Sequence, residues 1–132
     1  MIRVHATPPS LAAAMERLNI RNAAAIQVDN TVFLSGLTAV DTETGELIPG
    51  GIREHTRHTL ELYRTILTDI GLSLAHVVKV NAYLADPADF AAWNEEYLQV
   101  FEPPYPCRTT VTAPPVFGLI ELELVAALEP RR

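Results

Sequence analysis

The sequence has 132 residues, 48% hydrophobic and 20% charged, which fits one folded domain and excludes a disordered chain. A formal net charge of −6 excludes the basic surface on which a sequence-independent nucleic-acid binder depends for counterion release. The single cysteine excludes an internal disulfide, and neither a secretory-type start nor an apolar run of membrane-spanning length is present, so a cytoplasmic chain with no membrane partner is expected.

Residues 1–9 are short and proline-bearing. Ser10 is the expected cap of a small helix over 11–18, with Leu11, Met15 and Leu18 on one face and Asn19 closing it. That helix reads as an appendage on the main body. Two strands follow, over 23–28 and 31–35, joined by Asp29 and Asn30, a two-residue hairpin signal because both residue types tolerate positive φ. Gly36 then allows close approach of a backbone or a ligand. Residues 41–45 form a loop, and Leu47 and Ile48 a fragment of strand. The longest predicted helix covers 52–70, with Leu60, Tyr63, Ile66 and Leu67 in its stripe and Gly71 as its stop. The segment 77–84 is a strand, with Val78, Val80, Ala82 and Leu84 on one face and Val77, Lys79, Asn81 and Tyr83 on the other. Asp86, Pro87 and Asp89 open a second main helix whose stripe is Phe90, Trp93, Tyr97 and Val100 or Phe101.

The Arg108 strand comes next, entered through Pro104 and Pro106 and left through Pro114 and Pro115. The last strand covers 119–128, with Leu122, Leu124 and Ala126 on one face and Glu121, Glu123 and Val125 on the other. This order predicts an α+β domain, one mixed sheet with two main helices on one face plus the short N-terminal helix. The second sheet face has no helix left to cover it. Asn81, Tyr83, Thr110, Thr112 and Val125 are assigned to it together with Arg108. Such a face is most easily buried against copies of itself, which predicts a closed homo-oligomer.

Arg108 is the residue the chemistry turns on. An arginine on a short β-branched strand is either a charge pointing to water from an edge or a two-point grip for a carboxylate. Glu121, on the next strand in sequence, is either its ion-pair partner or an acid/base that activates water. Cys107 must face away from Arg108 by strand alternation and has no local histidine, which favours a packed or surface thiol over a nucleophile. His55 and His58 lie three apart on the long helix, but no third metal ligand accompanies them. Phosphate-cradling glycine loops and hydrolase elbows are missing, so no cofactor is expected.

Several runs, in order, resemble the RidA (YjgF) family of reactive enamine/imine deaminases: TVFLSG at 31–36, DTETG at 41–45, VVKVNAYL at 77–84, PCRTT at 106–110 and IELE at 120–123. Thr56, Arg57, Leu60, Asp89, Phe90 and Asn94 add to the likeness, which runs from about Ala23 to Ala127. The resemblance implies a chorismate-mutase-like fold, a single domain over 1–132 with a core at 21–128 behind an extension at 1–20, and a homotrimer with clefts between subunits. It implies hydrolysis of products such as 2-aminoacrylate to 2-keto acids and ammonia, without metal or cofactor. Arg108 would hold the substrate carboxylate and Glu121 would hold or activate water, while Ser35, Gly36 and Phe90 would line the cleft from the neighbouring subunit. Thr110 and Phe117 complete the expected binding set. Whether Glu121 or Glu123 faces the site stays open. Asn22 stands where many members carry a tyrosine, and the 113–118 loop is short, so a larger or more apolar substrate is expected, with Phe117 as a wall. A non-catalytic carboxylate-binding module is the alternative, and ribonuclease or translation inhibition a weaker one.

Overall fold

Three strands form the middle of the structure, a computed structural model that describes residues 1–132. They are β3 (Thr31–Leu37), β4 (Val77–Leu84) and β6 (Ile120–Ala127). Their inward residues Val32, Leu34, Val80, Ala82, Leu84, Leu122, Leu124 and Ala126 are all buried. Two helices cover that face: α2 (Ile52–Asp69), which buries Leu60, Tyr63, Ile66 and Leu67, and α3 (Phe90–Val100), which buries Trp93 and Tyr97. Each fully buried aliphatic or aromatic side chain contributes about 1.5–3 kcal/mol, so this interface dominates the stability. Polar contacts add direction to it. Arg57 on α2 grips Glu96 on α3 through two hydrogen bonds, of 2.8 and 2.6 Å, and these bonds hold the Glu96 carboxyl below its usual range.

The remaining elements are β1 (Ile2–Val4), α1 (Pro9–Arg17), β2 (Ala25–Val28) and β5 (Cys107–Thr112). The sheet order is β1-β2-β3-β6-β4-β5. Only β4 and β5 are parallel, joined across α3 as a parallel pair requires; the other neighbours are antiparallel. No helix is long and apolar enough to cross a membrane.

The expected α+β arrangement is present, with five local differences. Residues 2–4 form a strand, β1, on the sheet edge. Ser10 lies inside α1, which starts at Pro9 after the cap position Pro8, because proline's fixed φ suits the first helical position. In the β2–β3 hairpin only Asp29 takes positive φ. A register shift between Val77 and Lys79 turns Val77 into the core in place of Val78. At the start of α3, Asp86 caps a short 3₁₀ turn through Ala88 N–H, and Asp89 makes no side-chain cap. Gly71, at φ +81°, lets the chain leave α2 as expected.

Strand order also alters the open face. β6 inserts between β3 and β4, so β5 and β6, consecutive in sequence, are separated by β4. Arg108 pairs with Val80 and Thr110 with Ala82, both core-facing positions, so Arg108 and Thr110 turn towards the helices rather than to the open face. The open face instead carries Cys107, Thr109 and Val111 alongside Lys79, Asn81, Tyr83, Glu121, Glu123, Val125 and Phe33. Phe33 is 50% exposed and Val111 42%, large apolar groups that a sheet face in water seldom shows together.

Candidate active site

The arginine is set by three aromatic rings. Phe90, Trp93 and Tyr97 lie along one stripe of α3, at helical spacing. The Arg108 guanidinium carbon sits 4.5 Å from the Tyr97 ring centre and 5.8 Å from those of Phe90 and Trp93. Asn94, on the same helix, accepts a 2.8 Å hydrogen bond from Arg108 Nη1. Trp93 in turn donates to Thr110 Oγ1 at 3.3 Å, tying the strand to the helix. The ion pairs of the chain use Arg21, Arg53, Arg57, Arg64 and the N-terminus, and none uses Arg108. A charged fork with its long stem packed on aromatics, and no carboxylate of its own chain to neutralise it, suits an external carboxylate.

The carboxylate side of the chemistry lies elsewhere on the molecule. Glu121 pairs with Tyr83, an odd number of positions from Val80, so it faces the opposite way from Arg108. Its carboxylate fills the space above Gly36: a Cβ there would stand 2.5 Å from Glu121 Oε2. Burial, followed by the nearby charge of Glu123, raises the Glu121 carboxyl above its usual range. Glu123 is exposed and accepts hydrogen bonds from Asn81 at 3.0 Å and Tyr83 at 3.3 Å. Of the two glutamates, Glu121 is therefore the enclosed one with a raised proton affinity.

Ser35 and Gly36 sit where the β3–β6 register shifts, between Leu34 and Leu37. Tyr63, fully buried on α2, places its hydroxyl 2.6 Å from both the Ser35 and Leu122 carbonyl oxygens, bridging the two strands there. Ser35 Oγ donates to the Ala23 carbonyl, so this hydroxyl supports the backbone. Two clefts meet at Gly36 and Glu121. One, of about 290 Å3, runs along Tyr83, Glu123 and residues 113–116. The other, of about 510 Å3, is walled by α1, Leu37, Leu62 and Phe117, and Asn22 lines it too.

The expected residues thus form two groups. Arg108, Thr110 and Phe90 belong together; Gly36, Glu121 and Phe117 belong together, with Ser35 beside them. Phe90 stands with Arg108 in the same chain, not with Ser35 and Gly36, because it shares the α3 stripe that packs over β5. Sequence reading placed Tyr63 in the α2 stripe but missed the bridge its hydroxyl makes, and it missed the roles of Trp93, Asn94 and Tyr97. The signal for the α3 residues was the aromatic stripe immediately before the arginine strand, which reads equally well as ordinary core. The Nε2 atoms of His55 and His58 donate to the Ile48 and Val40 carbonyls at 3.0 and 2.6 Å, while His55 Nδ1 is buried without a partner. Cys107 is exposed on the open face.

Residues 14–128 match the family model described as endoribonuclease L-PSP. A RutC family protein of Pyrococcus abyssi is 42% identical over 107 residues, covering 80% of this chain and 84% of its own. A 2-iminobutanoate/2-iminopropanoate deaminase of Capra hircus is 37% identical over 108 residues, covering 80% and 79%. The crystal structure of RidA from an Antarctic Psychrobacter superposes with a TM-score of 0.75 at 36% identity, covering 80% of this chain and 87% of that one. The α+β, chorismate-mutase-like fold is shared with such structures.

Proposed function

The chain belongs to the endoribonuclease L-PSP family, which includes the RidA (YjgF) proteins, and on that footing we propose that it is a hydrolytic deaminase of reactive 2-imino acids. The observation that carries this reading is Arg108, a guanidinium stacked on aromatics and held by Asn94 without a carboxylate partner. The Capra hircus relative, named for its action on 2-iminobutanoate and 2-iminopropanoate, supports the choice of substrate class. Arg108 and Glu121 face opposite ways in one chain, so the reading requires that one copy supplies the arginine and another the glutamate. A homotrimer does this, and the apolar open face around Phe33 and Val111 favours such burial.

In this mechanism Arg108 holds the substrate carboxylate and Glu121 holds a water against the imine carbon. The water oxygen bonds to that carbon while the carbon–nitrogen π pair moves to the protonated nitrogen, and Glu121 takes a water proton. Glu121 then returns that proton to the amino nitrogen. The carbon–nitrogen bond breaks with its pair on nitrogen, the hydroxyl proton leaves with it as ammonium, and a 2-keto acid remains. Positioning does most of the work, and the raised proton affinity of Glu121 suits both transfers. An RNA substrate fits poorly, because Glu121 and Glu123 line the same cleft and the net charge is −6.

The test replaces Arg108 with Ala and with Lys and assays freshly generated imine for keto-acid release. Loss of at least about 100-fold in both variants is expected, since lysine keeps the charge and not the fork. Unaltered circular dichroism would show that the fold survives. Full activity in Arg108→Ala would overturn the assignment.

A further inference from the structure

We propose that the cleft walled by α1 is a subsite for a bulky apolar substrate side chain, so that the preferred imines are those of branched or larger apolar amino acids. The proposal rests on the deaminase reading above and names the substrate class for that site. The cleft has a volume of about 510 Å3, within the range of sites that enclose small molecules. It is continuous with the reacting end, because Gly36 and Glu121 form part of its wall. Of its 14 lining residues, 10 are hydrophobic, and Glu121 carries the one charge among them. A substrate carboxylate is repelled from that wall by Glu121 and belongs at Arg108. A polar substituent would lose water there with only the Asn22, Thr38 and Glu121 side chains to replace it. An apolar side chain is therefore the part of a 2-imino acid that fits.

The wall depends on the N-terminal segment. α1 buries Leu11 and Ala14 against the body, while Met15 and Leu18 remain partly exposed along the cleft. Leu62 of α2 and Phe117 of the loop before β6 close the other sides. A methyl group would touch little of this surface, and a branched four-carbon side chain reaches more of it. Discrimination of about 10-fold or more per added methylene is the usual yield of such a pocket.

The experiment measures kcat/KM for alanine-derived and leucine-derived imines with the whole chain and with Leu18→Trp and Phe117→Ala. The leucine-derived imine is expected to exceed the alanine-derived one by at least about 10-fold, and both variants to collapse that ratio. A purely structural role would lower both rates together and leave the ratio, which overturns the proposal. Equal kcat/KM for the two imines in the unaltered chain also overturns it and leaves the deaminase reading intact. If neither imine is hydrolysed, the deaminase reading fails. Calorimetry with the leucine-derived keto acid and pyruvate then decides: at least about 10-fold tighter binding of the larger acid supports the subsite, and equal binding overturns it. A crystal structure of the oligomer with a partner side chain filling the cleft overturns it as well.

Discussion

A side chain at position 36 would compete with Glu121 for one space. The clash falls on the far end of a flexible glutamate rather than on backbone, so Gly36→Ala displaces the carboxylate without breaking the fold. Loss of roughly 10- to 100-fold in kcat/KM is expected, with stability within about 0.5 kcal/mol of the parent, as read by steady-state assay and urea unfolding. In the proposed mechanism Glu121 also sets the acid limb of the pH profile. Burial raises its carboxyl first and Glu123 second, so the ionised form that accepts the water proton is lost as pH falls through a value above the ordinary 4.5. Removing the neighbouring charge in Glu123→Gln lowers that value, and the limb is expected to move to lower pH. Coincident kcat/KM–pH profiles for parent and variant would refute the assignment of the limb to Glu121. The sequence already separated Cys107 from Arg108 by alternation. It put Arg108 on the open face and so had the two exchanged, because that phase is set by the pairing of Arg108 with Val80, a contact between strands 28 positions apart.

Helix α2 reaches the chain beside Gly36 through one hydroxyl. Tyr63 bridges the Ser35 and Leu122 carbonyls at the point where the β3–β6 ladder changes register, and so holds the turn of chain that carries Gly36. Tyr63→Phe keeps the ring and leaves buried carbonyls short of a donor. A loss of about 1–3 kcal/mol is expected in urea unfolding, with a fall in activity beyond what the unfolded fraction explains. Unchanged stability would mean that the bridge is dispensable. At this scale most elements were legible. The α2 stripe and the alternation in β4 and β6 are long, regular signals, and the structure follows them except at the start of β4, where Val77 takes the place of Val78 in the core. Shorter elements were not. β1 has three exposed residues and exists through pairing with β2, so its own sequence carries almost no period. The stripe of α1 was visible as Leu11, Met15 and Leu18, but its place beside Gly36 depends on tertiary packing. The insertion of β6 between β3 and β4 is likewise non-local, and it separated Arg108 from Glu121 where sequence order had made them neighbours.

At the scale of the whole molecule, the proposed mechanism needs Arg108 and Glu121 on one substrate, and their opposed directions in a chain make oligomerisation a requirement of that proposal. A chain lacking Arg108 still carries its own Glu121, and a chain lacking Glu121 still carries its own Arg108. Neither variant alone can build a working site if the two residues must meet, whether within one chain or between chains. Mixed together they differ. If the site lies within a chain, every site in a mixed oligomer has one defect and activity stays at the background of the single variants. If it lies between chains, a site is intact when its arginine comes from the Glu121→Gln chain and its glutamate from the Arg108→Ala chain. With equal, random mixing that happens at about one quarter of sites. Co-expression of Arg108→Ala with Glu121→Gln, or unfolding and refolding them together, is therefore expected to restore about one quarter of the parental kcat per chain. Sedimentation would confirm that the mixture assembles like the parent. Background activity in a well-assembled mixture would remove the shared site, and with it the reason for the exposed Phe33 and Val111 to be covered by a second copy.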